Sequence, residues 1–162
     1  MIKKKAQIYG QIFIYILTIV LISFILVFGY NAVHDLKDRA KTVSCLKFED
    51  DLKNSIASML SDFDSVKIKN FKICEGYSKI CFVETFENFD ESELVDVDPL
   101  IKDSILSKTE NNAFLVDTTA KEYFNVGSIS VEPNVLCINA RYGQISLKME
   151  GLGNHVLLSE KT

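Results

Sequence analysis

The pattern of apolar and polar positions splits the chain into a solid apolar block near its start and short alternating runs further on. No Asp, Glu, Lys or Arg occurs from Ala6 to Val33, and within that window 12–30 is broken only by Thr18, Ser23 and Gly29. A helix over 12–30 would be about 28 Å long, close to the hydrocarbon thickness of a bilayer. A soluble helix of this length carries a polar face, and this one has none. The pattern therefore predicts a transmembrane helix over 12–30, preceded by a basic segment over 1–11. A secretory signal cut after its apolar region fits poorly. The run is too long, and a cut after Ala32 puts Tyr30 where a small residue is needed.

The helical period continues over 31–60 without proline or glycine, now with polar residues. Its apolar positions fall on two stripes. Val33, Leu36, Ala40 and Val43 share one face; Cys45, Phe48, Leu52, Ile56 and Met59 share another, nearly opposite. Either the helix kinks or rotates near Val43, or the lower stripe faces other helices while the upper one faces its own sheet. "SDFDS" at 61–65 then ends the helix with turn-forming residues.

Beyond it the period changes to two. "VKIKNFKI" at 66–73 alternates as a strand, with a phase slip at Asn70 that predicts a bulge, and "ICFVE" at 80–84 reads as its hairpin partner. Asp98-Pro99 is a cap followed by proline at the first helical position, so 99–107 is predicted as a short helix. "NNAFLVD", "GSISVE", "VLCINA" and "QISLKME" read as strands with turns at Pro133-Asn134 and Arg141-Tyr142-Gly143. "GLGN" breaks the last of these, and "HVLLS" adds a final strand. The fold class is α+β: a long N-terminal helix, transmembrane then amphipathic, backing a mostly antiparallel β-sheet with one short inserted helix. The β-rich domain is placed at 61–162.

Charge narrows the partners. The chain has 18 Lys plus Arg and 22 Asp plus Glu, a net charge of −4; without Lys3, Lys4 and Lys5 the balance is −7. So acidic a body argues against nucleic acid, which requires a basic face. The expected partner is the lipid bilayer.

The four cysteines are Cys45, Cys74, Cys81 and Cys137, and they allow three pairings. If 66–84 is a hairpin, Cys74 and Cys81 flank its turn, which favours Cys74–Cys81 and leaves Cys45–Cys137. Four buried free thiols are the alternative. A zinc site fits less well, since the spacing is wrong and His34 and His155 lie far apart. An even cysteine count after a membrane span fits an oxidising exterior. Lys37, Arg39 and Lys41 beyond the span balance the three lysines before it, so the positive-inside count is a tie. The cysteines break it in favour of a cytoplasmic N-terminus and an extracytoplasmic domain.

No catalytic constellation emerges: there is no GxSxG, P-loop or GxGxxG. Asp90, Glu91, Glu93, Asp96 and Asp98 form an acidic loop without the glycine and terminal glutamate of an EF-hand. The expectation is no enzyme, no metal and no cofactor.

Residues 3–30, "KKKAQIYGQIFIYILTIVLISFILVFGY", resemble the N-terminus of archaeal type IV pilin-like proteins. In that family a class III signal has basic residues, a cut after glycine or alanine, often a glutamine next, and an apolar helix that stays in the mature protein. Two cuts match in part. Ala6 then Gln7 has the local residue types but precedes the apolar run by several positions. Gly10 then Gln11 places the run well, but Tyr9 stands where a basic residue is usual. The glutamate that bacterial pilins carry at the fifth mature position is replaced by Gln11 or Tyr15, depending on the cut. The whole chain also resembles single-span membrane proteins of small-genome archaea, through "PLIKDSI", "NNAFLV" and "ISLKMEGLG"; that likeness implies no activity. The resemblance implies a structural subunit assembling with itself or with other pilin-like subunits through its N-terminal helix, with Val33, Leu36, Ala40 and Val43 as packing positions. The other reading is a single-pass membrane protein with a non-polymerising, extracytoplasmic binding domain.

Overall fold

A computed structural model describes residues 3–84 and 97–161, with side chains from Gln11 onward. Two compact units are present, Met1–Ala40 and Lys41–Thr162. Helix α1 (Lys3–Leu60) runs through both.

In the first unit every described side chain is exposed. The polar interruptions of the apolar run are bonded to their own helix. Thr18 Oγ donates to the carbonyls of Ile14 and Tyr15, both at 2.9 Å, and Ser23 Oγ donates to the carbonyl of Ile19 at 2.8 Å. Neither hydroxyl is left to be solvated, which suits a hydrocarbon environment.

Among the described residues, the second unit holds the rest of α1 and eight strands. These are β1 (Val66–Lys72), β2 (Lys79–Val83), β3 (Ala113–Val116), β4 (Ala120–Phe124), β5 (Ile129–Val131), β6 (Val135–Asn139), β7 (Gln144–Gly151) and β8 (Val156–Glu160), with helix α2 (Pro99–Leu106) inserted before β3. They form two four-stranded sheets, ordered β1-β7-β8-β5 and β4-β3-β2-β6. Every pairing is antiparallel except β5 with β8. The α+β architecture is thus the one the pattern predicts, with its strands divided between two sheets.

One core joins them. Phe48, Leu52, Ile56 and Met59 of α1 pack with Phe71, Ile145, Leu147, Met149, Val156 and Leu158 of the first sheet and with Ile80, Phe82, Leu115 and Ile138 of the second. Phe48 meets Phe124 edge-on, with ring centroids 6.4 Å apart. The second sheet has its other face covered too, where Cys81, Val83, Phe114 and Val116 pack with Ile101 of α2. This explains the two styles of strand sequence. β2 (KICFV) and β3 (AFLV) are buried on both faces and read as unbroken apolar runs, whereas β7 (QISLKMEG) buries one face and alternates. The α2 cap is as expected: Asp98 Oδ1 accepts from the Leu100 N–H at 2.9 Å. Its other carboxylate oxygen accepts from the Ala120 N–H, which ties the helix start to β4.

Several expectations are corrected. β1 and β2 are not a hairpin; they lie in different sheets, β1 against β7 and β2 between β3 and β6. The linking loop turns at Gly76, whose φ of +93° suits glycine, and buries Tyr77 in the core. β1 has no bulge at Asn70, because its register with β7 is unbroken from Val66↔Glu150 to Lys72↔Gln144. The apparent phase slip arises because Lys67, Lys69 and Phe71 face the buried side of β7, leaving Val66 and Ile68 exposed. Lys69 is accommodated there because β1 is an edge strand beside α1. Its Nζ donates to Ser55 Oγ at 2.7 Å and lies 4.9 Å from the centre of the Phe71 ring. β4 went unpredicted, since "AKEYF" buries only its two ends. Of the acidic loop, Asp90, Glu91, Glu93 and Asp96 lie outside the described residues.

Candidate functional site

The two stripes of α1 have opposite environments. Phe48, Leu52, Ile56 and Met59 are at most 2% exposed, and Cys45 is half-buried. Val33, Leu36 and Val43 are 55%, 64% and 63% exposed, and Ala40 is exposed as well. At about 100° per residue, the two sets of positions repeat on nearly opposite faces of the helical period. It is an apolar surface directly beyond a helix segment apolar and long enough to cross a membrane. Nothing in a water-exposed setting favours leaving such a stripe uncovered.

The proposed cut positions, Ala6-Gln7 and Gly10-Gln11, both fall within the helical backbone of α1. The side chains of Ala6, Gln7 and Gly10 lie outside the described residues, and Gln11 is exposed.

All four cysteines are paired, but not as favoured from the sequence. The bonds are Cys45–Cys74 and Cys81–Cys137. The expected Cys74–Cys81 bond depended on a hairpin that does not form. With β1 and β2 in separate sheets, Cys74 meets α1 instead, and Cys81 sits directly opposite Cys137 across the β2–β6 ladder. Cys137 is on an edge strand of that sheet. The first bond fastens α1 to the loop after β1, and the second staples the edge of the second sheet. Two disulfides fit an extracytoplasmic domain, and the long apolar helix fits a membrane anchor.

Around the first bond lies a small polar cluster. The Cys45 and Cys74 sulfurs and a Glu122 carboxylate oxygen all lie within 4.8 Å of one another. The sulfurs are covalently joined, so the arrangement is a disulfide beside a carboxylate and not a thiolate ligand set. Tyr77 adjoins it, with Lys41 Nζ 5.1 Å from its ring centre. Burial, reinforced by the hydrogen bond to Glu122 and by the charges of Glu122 and Asp117, pushes the Tyr77 hydroxyl up to about 12. This cluster holds α1 to the domain; sequence reasoning missed it because Tyr77 and Glu122 are far apart in the chain.

The histidines are placed separately. His34 pairs with Asp38 one helical turn on, at 3.3 Å on an exposed face. His155 Nδ1 lies 2.7 Å from Asn154 Oδ1 in the β7–β8 turn.

Comparison of the chain with protein-family models, with curated proteins and with solved structures returns no match.

Proposed function

We propose that this protein is a pilin-like, membrane-anchored structural subunit that assembles through α1 with further copies of itself or with related subunits, in a surface filament or envelope complex. The observation that carries the reading is the exposed stripe of Val33, Leu36, Ala40 and Val43, continuous with the apolar run. The domain already uses the opposite stripe of the same helix, so covering the lower one requires another helix. A matching stripe on a second copy would supply it, with small Ala40 allowing close approach. The N-terminus would be cytoplasmic and the domain extracytoplasmic, where its disulfides persist.

The test is a single cysteine introduced by Leu36→Cys. Because the native cysteines are all paired, it would be the one free thiol. Oxidation in native membranes should give a disulfide-linked dimer, while the same change at exposed Lys47 should not. A Leu36→Cys chain that stays monomeric would count against assembly. The mass of the native protein bears on the pilin reading separately: loss of 1–6 or 1–10 supports it, and an intact start removes that support. For orientation, an impermeant thiol reagent should label cells from outside only after reduction.

The second reading is an anchored binding domain that does not polymerise. It is favoured by the absence of a glutamate at the fifth position after either cut, where Gln11 or Tyr15 stands.

A further inference from the structure

The turn between β6 and β7 holds a tyrosine in an unusual position. Arg141 and Gln144 close it with two backbone hydrogen bonds. The Arg141 N–H donates to the Gln144 carbonyl at 2.8 Å, and the Gln144 N–H to the Arg141 carbonyl at 3.0 Å. Between them, Tyr142 and Gly143 have φ of +53° and +73°. Positive φ at both central positions is the type I′ arrangement, for which asparagine followed by glycine is the preferred pair. A bulky tyrosine at the first of these positions is a backbone outlier. Its side chain gains no packing in return, since Tyr142 is 105% exposed. A strained backbone holding an unpacked ring in solvent points to a role outside the fold.

The turn lies at the end of the second unit where the chain enters. Entry is at Lys41, eleven positions after Tyr30 closes the apolar run. Lys41 Nζ lies over the Tyr77 ring, Cys45 is bonded to Cys74, and the Ile73 N–H donates to the Gly143 carbonyl at 3.0 Å. Basic residues gather around the turn. Lys72 pairs with Gln144 in the β1–β7 ladder, Lys79 pairs with Asn139 in the β2–β6 ladder, and Lys161 borders one shallow concavity with Arg141. Nearby, Asp117 is matched by Lys121 at 3.0 Å, and Glu122 is bonded to Tyr77. Among the described residues, that leaves Glu75 and Glu160 against four basic groups, on a protein of net charge −4. A single ring offers far less than the ~800 Å² a side of a stable protein interface. It suits a lipid surface, where the amphipathic tyrosine ring settles at headgroup level and lysine and arginine meet anionic headgroups. We propose that the β6–β7 turn is a second membrane contact: Tyr142 enters the headgroup layer of the membrane that anchors the chain, and Arg141, Lys72 and Lys161 meet the phosphates of its anionic lipids. The proposal rests on the anchored reading of α1 and not on its assembly.

The chain has no tryptophan, so Tyr142→Trp places a single reporter at the turn. Phe63→Trp is the control: Phe63 is 74% exposed and lies in the turn bonded to Gly151, at the other end of β7. Both full chains are incorporated into nanodiscs of phosphatidylcholine, alone or mixed with phosphatidylglycerol, with acyl chains brominated near their carboxyl ends as quenchers. In the anionic discs the Tyr142→Trp emission should shift to the blue and be quenched several-fold more than that of Phe63→Trp. Raising the salt from about 0.1 to about 1 M, which shortens the screening length from ~10 to ~3 Å, should reverse most of this. Adding Arg141→Gln or Lys72→Gln to the reporter chain should lower the docked-to-free ratio by up to about fivefold each. Tyr142→Asn should unfold in denaturant no earlier than wild type, because asparagine suits the turn. A clear loss of stability there would show that the ring packs on the domain and would overturn the inference. So would equal quenching of the two reporters, or equal quenching at position 142 in neutral and anionic discs. A chain that does not enter discs would overturn the anchored reading as well, whereas one that enters them and leaves position 142 unquenched overturns this inference alone.

Discussion

Residues 33–43 and 45–59 of α1 belong to one helix and have equally clear apolar stripes, yet Val33, Leu36, Ala40 and Val43 are exposed, whereas Phe48, Leu52, Ile56 and Met59 are buried and Cys45 is half-buried. Residue type does not separate them, since Val33, Leu36 and Val43 are as apolar as Leu52 and Ile56. What separates them is the material opposite. The upper stripe packs against two sheets and carries one end of a disulfide; the lower stripe is exposed. A helix with opposed stripes cannot satisfy both against one domain, so the second stripe is available to something outside it.

The contrast can be broken most strongly at the disulfide. Replacing Cys45 and Cys74 together with alanine should cost about 3–4 kcal/mol of domain stability, by the loop-closure estimate for a separation of 29 residues. Denaturant unfolding in micelles measures this. A loss below about 1 kcal/mol would mean that packing alone holds the upper half.

Next in size is Leu52→Ala, which empties a wholly buried site and should cost about 2–5 kcal/mol. Leu36→Ala should change domain stability by no more than about 0.5 kcal/mol while reducing self-association. Equal destabilisation by both would erase the distinction between the stripes.

Gly151→Ala probes where the buried half ends. A Cβ at Gly151 would sit 2.4 Å from the backbone oxygens of Met59 and Asp62. Gly151 also exchanges backbone hydrogen bonds with this turn, through the Asp64 N–H and the Ser65 carbonyl. Because the obstruction is backbone, it cannot rotate away, and a loss of about 1–3 kcal/mol should appear in the same unfolding measurement.

The smallest effect is a pH dependence. Tyr77 holds its proton more tightly folded, with a pKa of about 12, than unfolded, near 10. Its contribution is therefore complete below pH 10 and declines as pH rises from about 10 to 12. Comparing wild type with Tyr77→Phe across that window isolates it: the phenylalanine chain should lack this component of the decline. Matching profiles would remove Tyr77 from the account of how the upper half is held.

Much of the fold was legible in local pattern. The cap at Asp98, the strands β3, β5, β6, β7 and β8, and both stripes of α1 follow from period and turn chemistry. The failures share a cause. β1 and β2 look like a hairpin because they are adjacent and separated by a glycine-containing turn, but strand pairing depends on partners far along the chain. Lys67 and Lys69 reverse the apparent face of β1 because an edge strand admits lysines that a central strand would exclude.

By itself, then, the sequence determined that a helix apolar and long enough for a bilayer precedes an α+β body, and that its next turns carry two opposed stripes. Those are consequences of period and composition, which act over a few residues. The tertiary structure alone decided which stripe is buried, which cysteines join, and that the strands form two sheets around one core. Each of those depends on contacts between distant segments, where burial of apolar surface by the whole domain outweighs the preferences of any one stretch.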